Sequence, residues 1–272
     1  IEGFSPCLLT ITPKNILDVV KEEVLPFWGI NQFKRPKVEA VRPIVDDKRA
    51  LVTLAIGADA NKMVDIALPS LETYAHKTGA DLIVISEPKI NGYSPHFEKF
   101  QMAELLDKYD RIVYVDADTI IHPACPDLFN LVPVDHVGVV PDSQDGQWHN
   151  LNRINEIMNS QQVLGFVNWG SGYFNSGVMV FSKEHKGLFD EPENRTRIQS
   201  TFLDQTILNY NFQKHGYKLF RLNPIFNGME INGFSSRVSM EHKARAMIMH
   251  LAHEGNVLEQ MQKVSDYIAN GK

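Results

Sequence analysis

Hydrophobic and polar positions fall into two regimes that meet near residue 48. Upstream, Pro6, Pro13, Pro26, Pro36 and Pro43 cut the apolar positions into short pieces, and Asn15 to Leu25 is the stretch with helical spacing. Residues 1–47 are therefore expected to form an extension packed on a single main domain of residues 48–272. From Arg49 the pattern becomes regular. Ala50-Leu-Val-Thr-Leu-Ala-Ile-Gly57 is a β-forming run ending in glycine, as expected of a buried parallel strand that feeds a loop. Asn61 to Lys77 follows, with Met63, Ile66, Ala67, Leu71, Tyr74 and Ala75 at helical spacing and Gly79 as its stop.

The alternation repeats, with a strand at Asp81–Ser86, a helix at Pro95–Tyr109 and a strand at Arg111–Val115. Strand–helix–strand connections are right-handed crossovers between parallel strands. The expected fold class is thus α/β, a Rossmann-like, mostly parallel central sheet with helices on both faces. Ligands of such sheets bind outside the carboxyl ends of the strands. Further on the rhythm loosens. Strands at His136–Val140, Gly177–Phe181 and Ala246–His250, with helices at Leu151–Met158, Thr201–Asn211 and Asn256–Ala269, predict a second half of mixed direction.

The third strand runs into Asp116-Ala117-Asp118, which places two carboxylates one residue apart at a strand's carboxyl end. Like charges so close repel unless a cation lies between them. Hard divalent cations take oxygen ligands and share them with substrate phosphates, so the pair suggests a site for a metal and a diphosphate. Asp-x-Asp alone is common, and aspartate also caps helices and turns. The preceding apolar strand and the central place in an α/β chain favour the metal. Asp59, in the loop after the first strand, stands at the same edge, where capping the next helix is an equal reading. Trp148, His149, Asn150, Trp169 and Tyr173 are aromatic and polar residues suited to an acceptor wall.

Four ordered segments between Ala50 and Gly255 make the chain resemble a GT-A fold sugar-nucleotide transferase of glycosyltransferase family 8. They are Phe97-Glu-Lys99-Phe100 leading to Arg111-Ile-Val-Tyr-Val-Asp-Ala-Asp118, then Phe174-Asn175-Ser-Gly177-Val-Met-Val-Phe181, Asp204-Gln205, and Met247-Ile-Met-His250 followed by Gly255. The resemblance implies metal ligation by Asp116, Asp118 and His250, with Mn²⁺ or Mg²⁺ as the ion. It implies donor contacts from Asp59, Lys99, Ala117 and Gly255, and catalytic work by Asp204, Gln205 and Asn175. It further implies a UDP-sugar donor, a hydroxyl acceptor on carbohydrate or protein, and retention of configuration. One segment departs from the family. His250-Leu-Ala-His253-Glu-Gly255 has altered spacing and no Lys-Pro-Trp after it, which leaves His250 and His253 as rival third ligands. Lys243 or Lys263 would have to replace the missing phosphate-gripping lysine, unless the metal carries more of the diphosphate.

Composition narrows the setting. A net charge of −6 and a pI near 5.9 argue against a nucleic-acid partner, and Lys34-Arg35-Pro36-Lys37 is too short a basic run to reverse that. Cys7 and Cys125 form no disulfide framework, so a reducing, cytoplasmic compartment is expected. The alternative is the Golgi lumen, if the chain is an excised catalytic domain. Its start at Ile1 suggests such a processed segment. No apolar run reaches the roughly 20 residues that span a bilayer. Three other activities share parts of the pattern. A dehalogenase-type phosphatase wants Thr or Val where Ile120 stands, and a sugar nucleotidyltransferase wants a Gly-rich, Arg-containing loop where Gly57-Ala-Asp-Ala-Asn-Lys62 stands. A catalytically silent nucleotide-sugar or carbohydrate-binding domain would have no need of both aspartates.

Overall fold

The computed structural model describes residues 47–90, 94–142, 151–170, 172–229, 239–252 and 255–271. The expected extension lies outside them apart from Asp47, as do Trp148, His149, Asn150 and His253. In chain order the main elements are β1 (Arg49–Leu54), α1 (Ala58–Thr78), β2 (Asp81–Ile85), a 3₁₀ segment (Pro95–Gln101) continuing into α2 (Met102–Leu105), β3 (Arg111–Val115), β4 (Thr119–Ile121) and α3 (Leu128–Leu131). Then come β5 (His136–Pro141), α4 (Leu151–Leu164), β6 (Phe174–Ser182), α5 (Leu203–His215), β7 (Lys218–Arg221), a 3₁₀ turn (Pro224–Asn227), α6 (Met240–Lys243), β8 (Ile248–His250) and α7 (Val257–Ala269).

Among the described residues the central sheet has the order β2-β1-β3-β6-β5-β7. β1 pairs in parallel with β2 and β3, and β5 with β7, whereas β6 is antiparallel to both of its neighbours. Among the described residues, the mixed direction expected of the second half enters the central sheet through β6. Successive side chains of a strand point to opposite faces, and both faces here are covered. Leu51, Val113, Val115, Val178 and Val180 pack with Leu71 and Tyr74 of α1 and Met261 and Val264 of α7. Ala50, Val52, Ile112, Tyr114, Met179 and Phe181 pack with Phe97 and Phe100 and with Leu208 and Phe212 of α5. Two buried faces explain why these strands read as unbroken apolar runs. Each fully buried Val, Leu, Ile, Phe or Met side chain contributes about 1.5–3 kcal/mol.

Three of the shifts from expectation shape the site's surroundings. β1 stops at Leu54 rather than Gly57, because Gly57 at φ 92° turns the chain into α1. The helix expected over Pro95–Tyr109 begins as seven residues of 3₁₀ helix, with Ser94 Oγ accepting from His96 N, and its α part is four residues long. A threefold repeat aligns side chains three apart, and here it stacks Phe97 on Phe100, ring centroids 5.1 Å apart. Thr119–Ile121, which reads as loop, is a strand that pairs with β8 in a separate two-stranded sheet. That pairing assembles the candidate site.

Candidate active site

β3 carries the chain to Val115, and Asp116 then anchors the turn through its backbone N–H to Gly177 O at 2.8 Å. Thr119 Oγ donates to Asp116 O at 2.8 Å and tightens the reversal into β4. In the β4–β8 pair Thr119 lies opposite His250, and Leu251 N–H donates to Asp118 O at 3.0 Å. The register thus delivers an imidazole from a distant part of the chain to the carboxylates. His250 Nε2 lies 3.2 Å from Asp118 Oδ1 and 3.8 Å from Asp116 Oδ2. Among the described residues Asp116, Asp118 and His250 form a group whose ligand atoms lie within 4.8 Å of one another. Both aspartates remain partly exposed while the imidazole is buried.

A buried lysine ties this group to α5. Lys99, projecting from the 3₁₀ segment, lies 3.1 Å from Asp116 Oδ1 and donates to Asp204 Oδ2 at 3.2 Å and Ser176 Oγ at 3.1 Å. Burial alone would pull its ammonium pKa down, but the Asp116 and Asp204 carboxylates more than offset this and hold it above the ordinary lysine range. Tyr114 O–H donates to Asp116 Oδ1 at 2.5 Å. Burial would raise the Asp116 carboxyl, yet Lys99, His250 and Tyr114 together hold it below its ordinary value. Burial would lower the His250 ring, and the Asp118 and Asp116 carboxylates lift it above the ordinary histidine value.

Side-chain amides form the second half of the site. Gln205 Oε1 accepts from Ser176 N–H at 3.0 Å and from Asn175 Nδ2 at 3.1 Å, and Asn175 Oδ1 accepts from Gly177 N–H at 2.8 Å. Asn227 Nδ2 donates to Asn175 Oδ1 at 2.8 Å, and Asn227 Oδ1 lies 2.7 Å from His250 Nδ1. Close approach requires a glycine at 177, since a Cβ there would lie 2.3 Å from His250 Cε1.

Of the residues singled out in the sequence, the structure brings together Asp116, Asp118, His250, Lys99, Asp204, Gln205 and Asn175, with Ala117 between the aspartates. Others stand apart. Asp59 is 81% exposed and pairs with Lys62 at 3.3 Å in the first turn of α1. Gly255 is exposed, with open space where a Cβ would stand. Lys243 is buried and donates to Gln260 Oε1 at 3.4 Å, and Lys263 pairs with Glu259 at 2.5 Å. Tyr173, placed in the acceptor wall by sequence, is a core residue bonded to Thr206 Oγ at 2.8 Å, and half-buried Trp169 stacks on it at 6.5 Å. Asp142 is ion-paired with Arg153. Sequence reading missed Tyr114, Ser176 and Asn227. Tyr114 and Ser176 sit within matched strands, but Asn227 in Pro224-Ile-Phe-Asn-Gly228 looks like any turn residue.

Two carboxylate oxygens and one imidazole nitrogen suit a divalent ion of the Mn²⁺ type. Nε2 faces two carboxylates while Nδ1 is engaged by Asn227, so a cation can occupy the side of the ring that faces Asp116 and Asp118. The residues present therefore fit such an ion.

The profile of Glycosyl transferase family 8 matches residues 84–252. No curated protein matches the chain in sequence. A glycosyltransferase involved in the glycosylation of the major capsid of PBCV-1 is similar in structure, with a TM-score of 0.53 and 13% identity over 79% of this chain and 98% of that one. The WbbM bifunctional glycosyltransferase gives 0.54 and 15% over 85% of this chain and 51% of that one. An active-site mutant of LgtC gives 0.51 and 15% over 80% and 95%. At such identities the likeness speaks for the GT-A fold.

Proposed function

Since the chain belongs to glycosyltransferase family 8 and is a glycosyltransferase, we propose that it moves a sugar from a UDP-linked donor to a hydroxyl acceptor, with a divalent metal and with retention of configuration. The observation that carries this reading is the meeting of Asp116, Asp118 and His250 at the carboxyl edge of the sheet, with Lys99 joining them to Asp204. A Mn²⁺ or Mg²⁺ ion held by those three residues would supply neutralisation of the charge that grows on a departing diphosphate.

The chain's own groups divide the remaining work. Lys99 keeps the Asp116 and Asp204 carboxylates at fixed positions, so that Asp204 meets the donor sugar's hydroxyls without reorganising. The Gln205 side chain is held by Ser176 N–H and Asn175, which presents its amide as a fixed dipole beside the sugar carbon. Asn175 completes the sugar contacts. Ala117, between the two aspartates, offers little side-chain bulk against the nucleotide. Attack from the face where the diphosphate leaves, with a diphosphate oxygen taking the acceptor's proton, needs no base from the protein.

The test is hydrolysis of a panel of nucleotide sugars with Mn²⁺ and without acceptor. Metal-dependent turnover that disappears in Asp118→Ala, with the fold intact by circular dichroism, is the expected result. Binding without turnover would identify a silent sugar-nucleotide-binding domain, and absence of both would remove the proposal. An inverted product anomer would instead point to Asp204 or Asp142 as the base.

A further inference from the structure

We infer that Asn227 is the positioning residue that keeps a proton on Nδ1 of His250 and so commits Nε2 to the metal. The inference rests on the reading of His250 as a ligand, and it follows from a chain of hydrogen bonds whose direction cannot reverse. Backbone N–H groups only donate. Ser176 N–H therefore fixes Gln205 Oε1 as an acceptor, and Gly177 N–H fixes Asn175 Oδ1 as another. With Asn175 Oδ1 committed to accepting, the Asn227 atom that faces it at 2.8 Å must be the donor Nδ2. The other end of the same amide, Oδ1, then faces His250 Nδ1 at 2.7 Å. A carbonyl oxygen cannot donate, so Nδ1 must. Two backbone amides of β6 thus dictate, through the side chains of Asn175 and Asn227, which nitrogen of a histidine on β8 is available to the site. Asn227 is fully buried, so no water competes for the bond. The Asn223 side-chain oxygen, accepting from Ile225 N–H, anchors the turn that places it.

Groups behind a metal's histidine that receive its second ring proton commonly govern metal affinity by about 10–100-fold. The same chain of amides joins the His250 ring to Gln205, so the metal-facing and sugar-facing halves share one set of hydrogen bonds.

The experiment needs no turnover. In protein carrying nitrogen-labelled histidine, the His250 ring signal is assigned by its loss in His250→Gln. It should show a proton on Nδ1 that exchanges slowly, both without metal and with a diamagnetic divalent ion present. Asn227→Leu should lose that protection and weaken Mn²⁺ binding, measured by calorimetry, about 10–100-fold. Asn227→Asp still accepts from Nδ1–H and should bind Mn²⁺ far better than the Leu variant. A purely packing role predicts the opposite order, since a buried carboxylate disturbs a core more than an isosteric leucine does. A bare or metal-bound Nδ1, or Mn²⁺ affinity unchanged in Asn227→Leu, overturns the inference. Should the wild type take up no Mn²⁺ while Nδ1–H stays protected, the metal reading fails and the role of Asn227 in holding the ring stands.

Discussion

Two residues at the site are decided by what lies against them rather than by their own chemistry. Gly177 is required because the His250 ring occupies the place of its side chain. Gly177→Ala should destabilise the fold by about 1–3 kcal/mol through overpacking and weaken Mn²⁺ binding, checked by denaturant unfolding and metal titration. Lys99 is required because it lies between two carboxylates with almost no access to water. Lys99→Met removes the cation that Asp116 and Asp204 share, at a cost of about 3–5 kcal/mol. Added Mn²⁺ should recover part of that loss, because a cation at Asp116 replaces part of the missing charge. The aspartates, Lys99 and Asn175 could be found in the sequence because each belongs to a motif with its own strand or helix. Asn227 could not, since its role depends on which atoms face it across the fold and no spacing records that. Asp59 shows the converse, with a motif position legible in the sequence and a side chain engaged in its own helix's first turn.

At the scale of elements, the periodic strands and helices of the first half were legible because both faces of the sheet are buried and the apolar runs are unbroken. β4 was not, because three residues give too short a pattern, although all three are buried. β7 was not, because its edge position leaves Lys218 and Arg221 exposed and no alternation stands out. Yet β4 is the element that sets the distance between Asp118 and His250. Thr119→Val removes the hydroxyl bond to Asp116 O, with the loss of one hydrogen bond worth about 0.5–1.5 kcal/mol. Its effect on Mn²⁺ affinity should exceed that of a similar substitution elsewhere in β4, and a metal titration of both variants makes the comparison.

For the molecule as a whole, metal and proton should leave separate signatures on stability. Mn²⁺ at 100 times its dissociation constant should stabilise the native state by about 2.7 kcal/mol, seen as a rise in Tm that Asp118→Ala abolishes. His185 provides the pH signature. Burial pushes its ring down to about 4 from an ordinary 6.5, with Nδ1 accepting from Ser182 N–H. The unfolded chain then binds the extra proton first, so this contribution to stability is full above pH 6.5 and is lost as pH falls towards 4. His185→Gln should flatten unfolding curves in that window. The reversed strand β6 has a consequence for biosynthesis. The strand that ends in the aspartates emerges from the ribosome well before β6, the partner that covers its second edge. Until β6 arrives, an apolar edge bearing Ile112 and Tyr114 stays open to other chains, and unpaired apolar edges are where newly made proteins associate wrongly. A nascent chain paused between β5 and β6 already holds both aspartates, but it has neither the backbone amides nor the histidine that gather around them.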